Sequence, residues 1–383
     1  MFTHIVKRGV AHLQAATPEY IAQLKADAEV YEQAGPEMEV NPIETLPILI
    51  TAVFFLLLLA SIRYTFGTVV ATLAMVESPS TAAVEQTLPA YKDEEPLIPG
   101  ATDKEADVES MVVNRKPLTS SLCATMRQLR SVGGPLARWR GAGMGVVHAF
   151  LHALVAKVLL STLGGLLFGY TLFGLTLISI LTSLFLVRVH LLWTHTIIAH
   201  PTPKSLLQRI VPRAQCKPLV VPTLVLAAAQ HAIVLVPLGV AQLVRLQDIT
   251  PSTALRTDGC ALFLLALRIL AIPTSAALVA LFVLLPAAAA RARVEAALLP
   301  ADILSLVPID RSTTRFTAAW RAFDRPARLR VLKVYAKMVG AQSVVAVVGM
   351  LIVAAEVYVI GGERLGVFFT AARAQLELMA IEG

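Results

Sequence analysis

Two groups of histidines stand out by their spacing. His148 and His152 lie four residues apart, on one face if the segment is helical, and His190, His195 and His200 follow at intervals of five. Imidazoles one turn apart are spaced as metal ligands are, and they suit iron, zinc or haem. A metal centre of that kind also needs acidic ligands or a general base, and no Asp or Glu occurs between residues 145 and 217. Trp193 among these rings fits an interfacial belt of amphipathic side chains equally well. Metal binding is therefore the disfavoured reading, and no cofactor is expected.

A second set consists of Lys157, His231, Arg268 and Glu356, each of which interrupts an otherwise apolar stretch. Ionisable groups in hydrocarbon are costly, so each is a functional candidate by default. At the helical rise per residue, Lys157 and His231 sit about 16 Å into their helices, near a bilayer midplane. Arg268 and Glu356 lie about 10 Å and about 8 Å from one common face, which predicts an ion pair between neighbouring antiparallel helices. Together the four residues suggest a polar path for a small molecule or lipid. The alternatives are a structural ion pair, a snorkelling lysine and a hydrogen-bonded core histidine.

The third set lies at residues 313–331. Phe316, Trp320 and Phe323 recur at helical spacing, while Arg315, Arg321, Arg325 and Arg328 occupy much of the remainder. This pattern predicts a helix on the membrane surface, its rings at the acyl boundary and its guanidinium groups among anionic headgroups. The same aromatics would alternatively pack on the ends of the bundle. Other catalytic patterns fail: there is no Gly-rich phosphate loop followed by Lys, and no Gly-x-Ser-x-Gly elbow. An enzyme is the less favoured class.

The elements that must position these residues follow from composition. Of 383 residues, 56% are hydrophobic and only 15% charged, against about 45–50% and about 25% for an ordinary soluble chain. Lipid must solvate much of the surface, and spanning segments of about 20 apolar residues should be helices. The fold class is all-α, a polytopic bundle of about six spans arranged as three hairpins. A polar stretch, residues 1–45, holds an amphipathic helix over 18–33; the first span covers 46–76; residues 77–145 read as a largely disordered loop with a basic end. The bundle occupies 146–360, with basic loops at 199–217 and 291–337, and 361–383 is a short tail. The three cysteines, Cys123, Cys216 and Cys260, are too few and scattered for a disulfide framework.

The basic loops all follow odd-numbered spans, so positive-inside bias places them in the cytoplasm and both termini outside. The net charge of +7 is explained by this bias rather than by nucleic-acid binding, and the expected partners are the bilayer and anionic lipid headgroups. Lys7 and Arg8 faintly echo a mitochondrial presequence. An endomembrane or plasma membrane is nevertheless preferred over the mitochondrial inner membrane.

The stretches at residues 191–210 and 293–337 resemble a family of fungal multi-pass membrane proteins, some labelled ubiquitin carrier protein. That label implies a His-Pro-Asn element, whereas His200-Pro201-Thr202 stands here. Three hairpins also resemble mitochondrial carriers, whose Pro-x-Asp/Glu-x-x-Lys/Arg signature appears only as fragments at Pro201 and Pro300. The leading functional expectation is a non-enzymatic membrane protein that binds or transports a small molecule or lipid. A membrane-anchored structural or adaptor protein, and a histidine-ligated metal or haem enzyme, are the alternatives.

Overall fold

The computed structural model describes residues 22–23, 25–26, 42–78, 117–164, 166, 171–246 and 259–382. Most of the amphipathic helix expected over 18–33, and residues 79–116 of the expected loop, lie outside these. Among the described residues the chain is helical and has no strands beyond a single bridge between Ala199 and Ser305.

Helix α1 (Pro42–Ile62) opens on a proline, whose fixed φ suits a first turn, and continues through a widened π segment, Arg63–Val70, into α2 (Ala71–Val76). A short helix, α3 (Leu122–Gly133), precedes α4 (Ala142–Leu163). Next come α5 (Leu172–Phe185), α6 (Val187–Ile198) and α7 (Val220–Leu243). Helix α8 (Gly259–Val279) passes through a second π segment, Ala280–Leu284, into α9 (Leu285–Ala297). Pro286 lacks an N–H and would collide with a carbonyl one turn back; the widened turn just before it makes room. A seven-residue helix, α10 (Phe316–Ala322), leads to α11 (Arg325–Glu382), which kinks at Gly362.

Five segments are long and apolar enough to cross a bilayer: Thr45–Val76, Pro135–Leu163, Arg213–Leu243, Phe263–Ala297 and Arg325–Ile360. Helices α5 and α6 pass that test only together and are bent by 62°, so the count is five, or six if the bent pair is one span. This is the polytopic helical protein that the composition demands.

The chain divides into two compact units. In the first, formed by Met1–Ala60, Val234–Leu278 and Gln342–Gly383, α1 and α11 run antiparallel, because their contacts pair rising with falling numbers. The Thr51 hydroxyl donates to Glu356 Oε1 at 2.7 Å, Gly349 lies so close to Phe55 that a Cβ would come within 2.7 Å of the ring, and Gln342 Nε2 donates to the Leu59 carbonyl at 3.4 Å. Phe54, Leu57, Val344 and Met350 face outward, as lipid contact requires.

The second unit, Ser61–Ile233 with Val279–Ala341, holds a packed core of Val69, Leu73, Leu129, Ile198, Ala289, Phe323 and Val331. Helix α9 is its centre. Ala287, Ala289, Ala290, Ala292 and Ala296 surround it with small side chains, so α2, α6 and α10 all approach closely.

Several boundaries differ from expectation. Residues 117–140, expected within a disordered loop, form α3 and two flanking 3₁₀ turns, Leu118–Ser120 and Pro135–Trp139. Ser121 caps α3, and the buried Glu77 carboxylate accepts from the Leu118 and Thr119 N–H groups at 2.6 and 3.1 Å. The fifth span does not end near residue 290; it continues to Ala297 and buries Arg291 and Glu295, two residues of the expected basic loop 291–337. Residues 199–217 fold as short 3₁₀ turns, Leu207–Arg209 and Arg213–Leu219, with His200 N–H donating to the Leu304 carbonyl. Residues 363–382, expected as a tail, continue α11 beyond its kink.

Candidate functional site

The most polar buried place in the second unit centres on Glu295, which is 1% exposed. Arg291 stands one turn earlier on α9, the spacing at which two side chains meet on a helix, and its Nε donates to Glu295 Oε1 at 2.9 Å. Helix α6 contributes two groups from one face. His190 Nδ1 lies 2.8 Å from the same Oε1, and the Thr194 hydroxyl donates to Oε2 at 2.5 Å. Both carboxylate oxygens are thus satisfied. A buried ion pair held by added hydrogen bonds in this way is costly to break from one side.

His195 serves the same helix differently. Its Nε2 lies 2.8 Å from the Glu295 carbonyl, one of the last carbonyls of α9, which also accepts from the Leu298 N–H at 3.3 Å. Because a carbonyl only accepts, Nε2 carries the proton, and Nδ1 is a buried lone pair without a hydrogen-bond partner among the described residues.

Helix α4 brings His148 and His152 to this place. The His148 ring stands edge-on to His190 at 5.3 Å between centroids, stacks on Trp193 at 5.6 Å and lies 6.1 Å from His152. Gly145 permits the approach, since a Cβ there would come within 3.1 Å of the Trp193 indole. The two histidine groups of the sequence therefore converge through His148, His152 and His190. His195 binds the backbone of α9 instead, and His200 sits half-buried in the segment that bridges to Ser305.

The acid absent from residues 145–217 is supplied from α9. Glu295 holds His190 by Nδ1, which makes Nε2 the acceptor nitrogen, the arrangement in which a carboxylate orients an imidazole for proton transfer. Among the described residues, no group of three or more His, Cys, Asp or Glu side chains is placed to hold a metal ion.

The other candidates behave differently. Lys157 is exposed on α4 beside Leu154 and Val158, and Arg268 is exposed on α8. His231 is half-buried, with Nδ1 2.8 Å from the Ala227 carbonyl one turn earlier. The expected Arg268–Glu356 ion pair does not form: Glu356 Oε1 is taken by Thr51, and the ion pairs among the described residues are His190–Glu295, Lys204–Asp302 and Arg291–Glu295.

The aromatics of residues 313–331 also turn inward. Phe323 is 1% exposed, with the guanidinium groups of Arg293 and Arg328 over its ring at 5.5 and 5.6 Å, and Phe316 and Trp320 pack together against the core. The helix expected on the membrane surface is therefore an inward-packed element, broken after Ala322 and restarted at Arg325. Asp324 caps the new start, and Arg315, Arg321, Arg325 and Arg328 stay exposed.

Comparison with known proteins finds no matching family model, no similar curated protein and no similar solved structure.

Proposed function

We propose that this chain is a non-enzymatic integral membrane protein that binds and moves a small solute or lipid, with the imidazole and carboxylate groups around Glu295 as its protonatable centre. One observation carries the reading. A buried carboxylate oriented by Arg291 and Thr194 holds His190, and His190 lies against His148, which lies against His152 on a membrane helix. Imidazole takes a proton on one nitrogen and releases one from the other, so chains of His and Glu within a bundle suit proton relays in pumps and transporters. The groups facing this chain are Trp193, Arg291, Thr194 and, near His152, His231.

The test is proton entry into liposomes containing the purified protein and a trapped pH dye, with potassium and valinomycin setting the voltage. The wild type should pass protons faster than protein-free vesicles. H148F, which leaves every partner of Glu295 in place, should reduce that rate at unchanged thermal stability, and H200F should not. A wild-type rate equal to that of empty vesicles, or an H148F rate equal to wild type, refutes the proposal. The adaptor reading is favoured by a different observation, the folding of residues 117–140 onto the core with Arg127, Arg130 and Arg138 outward. In that case the vesicle experiment gives no flux.

A further inference from the structure

We propose that residues 122–140 form a binding site for anionic phospholipid at the bilayer surface, with Arg127, Arg130 and Arg138 on the phosphate and Leu136 and Trp139 at the acyl boundary. This site is independent of the Glu295 centre. Helix α3 is two-sided: Thr125 and Leu129 are buried, Leu122, Met126 and Val132 pack on the core, and Arg127 and Arg130, three apart, are exposed on the opposite face.

The 3₁₀ turn Pro135–Trp139 then turns only Ala137 inward. Leu136 is left 65% and Trp139 40% exposed, although a turn facing water has no use for two large apolar groups side by side. A few residues later Val146 and Phe150 begin the outward apolar face of α4. Leu136 and Trp139 therefore stand where the lipid-facing surface starts.

Trp139 has the anatomy of an interfacial residue. Its Nε1 donates to the Ser61 hydroxyl at 3.0 Å, which fixes the polar end, and the Arg138 guanidinium lies 4.9 Å from the ring centroid. Arg140, by contrast, turns inward to the end of α6. The three outward arginines have no acid nearby in sequence, since none occurs from residue 110 to residue 247, and none forms an ion pair among the described residues.

Charge complementarity calls for an anion. The adjoining apolar pair calls for acyl chain, so the occupant is a lipid of the surrounding bilayer rather than free phosphate.

The test uses the full chain reconstituted in mixed phosphatidylglycerol and phosphatidylcholine, followed by analysis of the lipids retained after brief detergent extraction. Each basic residue at an anionic surface favours the anionic lipid by about fivefold. The wild type should thus retain phosphatidylglycerol well above its bulk ratio, R127Q/R130Q/R138Q should fall to near the bulk ratio, and R127K/R130K/R138K should keep most of the enrichment. In brominated phosphatidylglycerol, W139F should lose a large part of the fluorescence quenching. The proposal is overturned if the wild type shows no enrichment, if the glutamine variant retains as much as wild type, or if millimolar inorganic phosphate displaces the lipid without any acyl dependence.

Discussion

Replacing Glu295 by Gln strips the charge from a carboxylate that meets Arg291, His190 and Thr194 at 2.9, 2.8 and 2.5 Å, in a place where Glu295 is 1% and Arg291 6% exposed. Shape is nearly conserved, so the loss is electrostatic. A buried guanidinium left without its partner costs about 3–5 kcal/mol. At about 2–4 °C per kcal/mol for a domain of this size, the unfolding temperature should fall by roughly 6–20 °C. R291M should cost a similar amount, because it leaves the carboxylate alone. The double variant R291M/E295Q removes both charges and leaves a neutral amide beside Thr194 and His190, at about 1–3 kcal/mol for each hydrogen bond not remade. It should therefore lose much less than the sum of the single losses. Thermal unfolding of the four proteins in one detergent measures this cycle. Additive losses, or an E295Q protein within about 0.5 kcal/mol of wild type, would mean that the pair does not organise α9 and α6.

Other consequences are simpler to read. Asp310 is partly buried, which opposes its ionisation, but hydrogen bonds from the Ser312 and Thr313 hydroxyls and the Ser312 N–H, with Arg293 nearby, outweigh that and hold its carboxyl below the usual range. Its contribution is present above about pH 4 and is lost as pH falls through the depressed folded value, so D310N should lose less stability than wild type between about pH 5 and pH 3. R268A and E356Q should have additive effects within about 0.5 kcal/mol, since Glu356 bonds Thr51 instead; a coupling well above that value would restore the ion pair. Cys123 and Cys260 are exposed and Cys216 is buried, so a maleimide should label the first two in folded protein and Cys216 only on unfolding.

Long apolar stretches were legible because a hydropathy run of span length has few competing explanations. The centre of the second unit was not. Helix α9 carries Arg291, Arg293 and Glu295 within five residues, which reads as the start of a loop. Its burial depends on flanking alanines small enough for three helices to close on it. The i, i+4 spacing of Arg291 and Glu295, continuous with an alanine-rich run, was the available signal. That Glu295 meets His190, 105 positions away, had no local trace. Depth along a helix is likewise legible where azimuth is not: Arg268 and Glu356 match in depth, but packing turns Glu356 toward Thr51 on α1. Phe316, Trp320 and Phe323 fit an inward or an outward face equally well, and only the neighbouring core of α9 and α11 decides between them.

The basic residues themselves take on a second meaning. Positive-inside bias accounts for which loops are basic, yet several of these cations sit at helix C-termini, where unpaired carbonyls gather partial negative charge. Arg293 Nε donates to the Met75 carbonyl at the end of α2 at 2.8 Å, and Arg140 Nε donates to the Thr196 carbonyl at the end of α6 at 3.1 Å while its terminal nitrogen reaches the Ala199 carbonyl. Arg140 is the cleanest case to separate the two roles. Its own carbonyl accepts from the Tyr64 hydroxyl at 2.7 Å, so the backbone is anchored whatever the side chain does. R140A should lose about 1.5–3 kcal/mol, the worth of hydrogen bonds from a charged donor. R140K keeps the charge that topology reads but loses the fork that spans two carbonyls, and it should fall between R140A and wild type. Exposed Arg127 supplies the control, since R127A should stay within about 0.5 kcal/mol of wild type. If R140A and R127A are equally stable, or R140K matches wild type, Arg140 is only a topological charge and the capping argument fails.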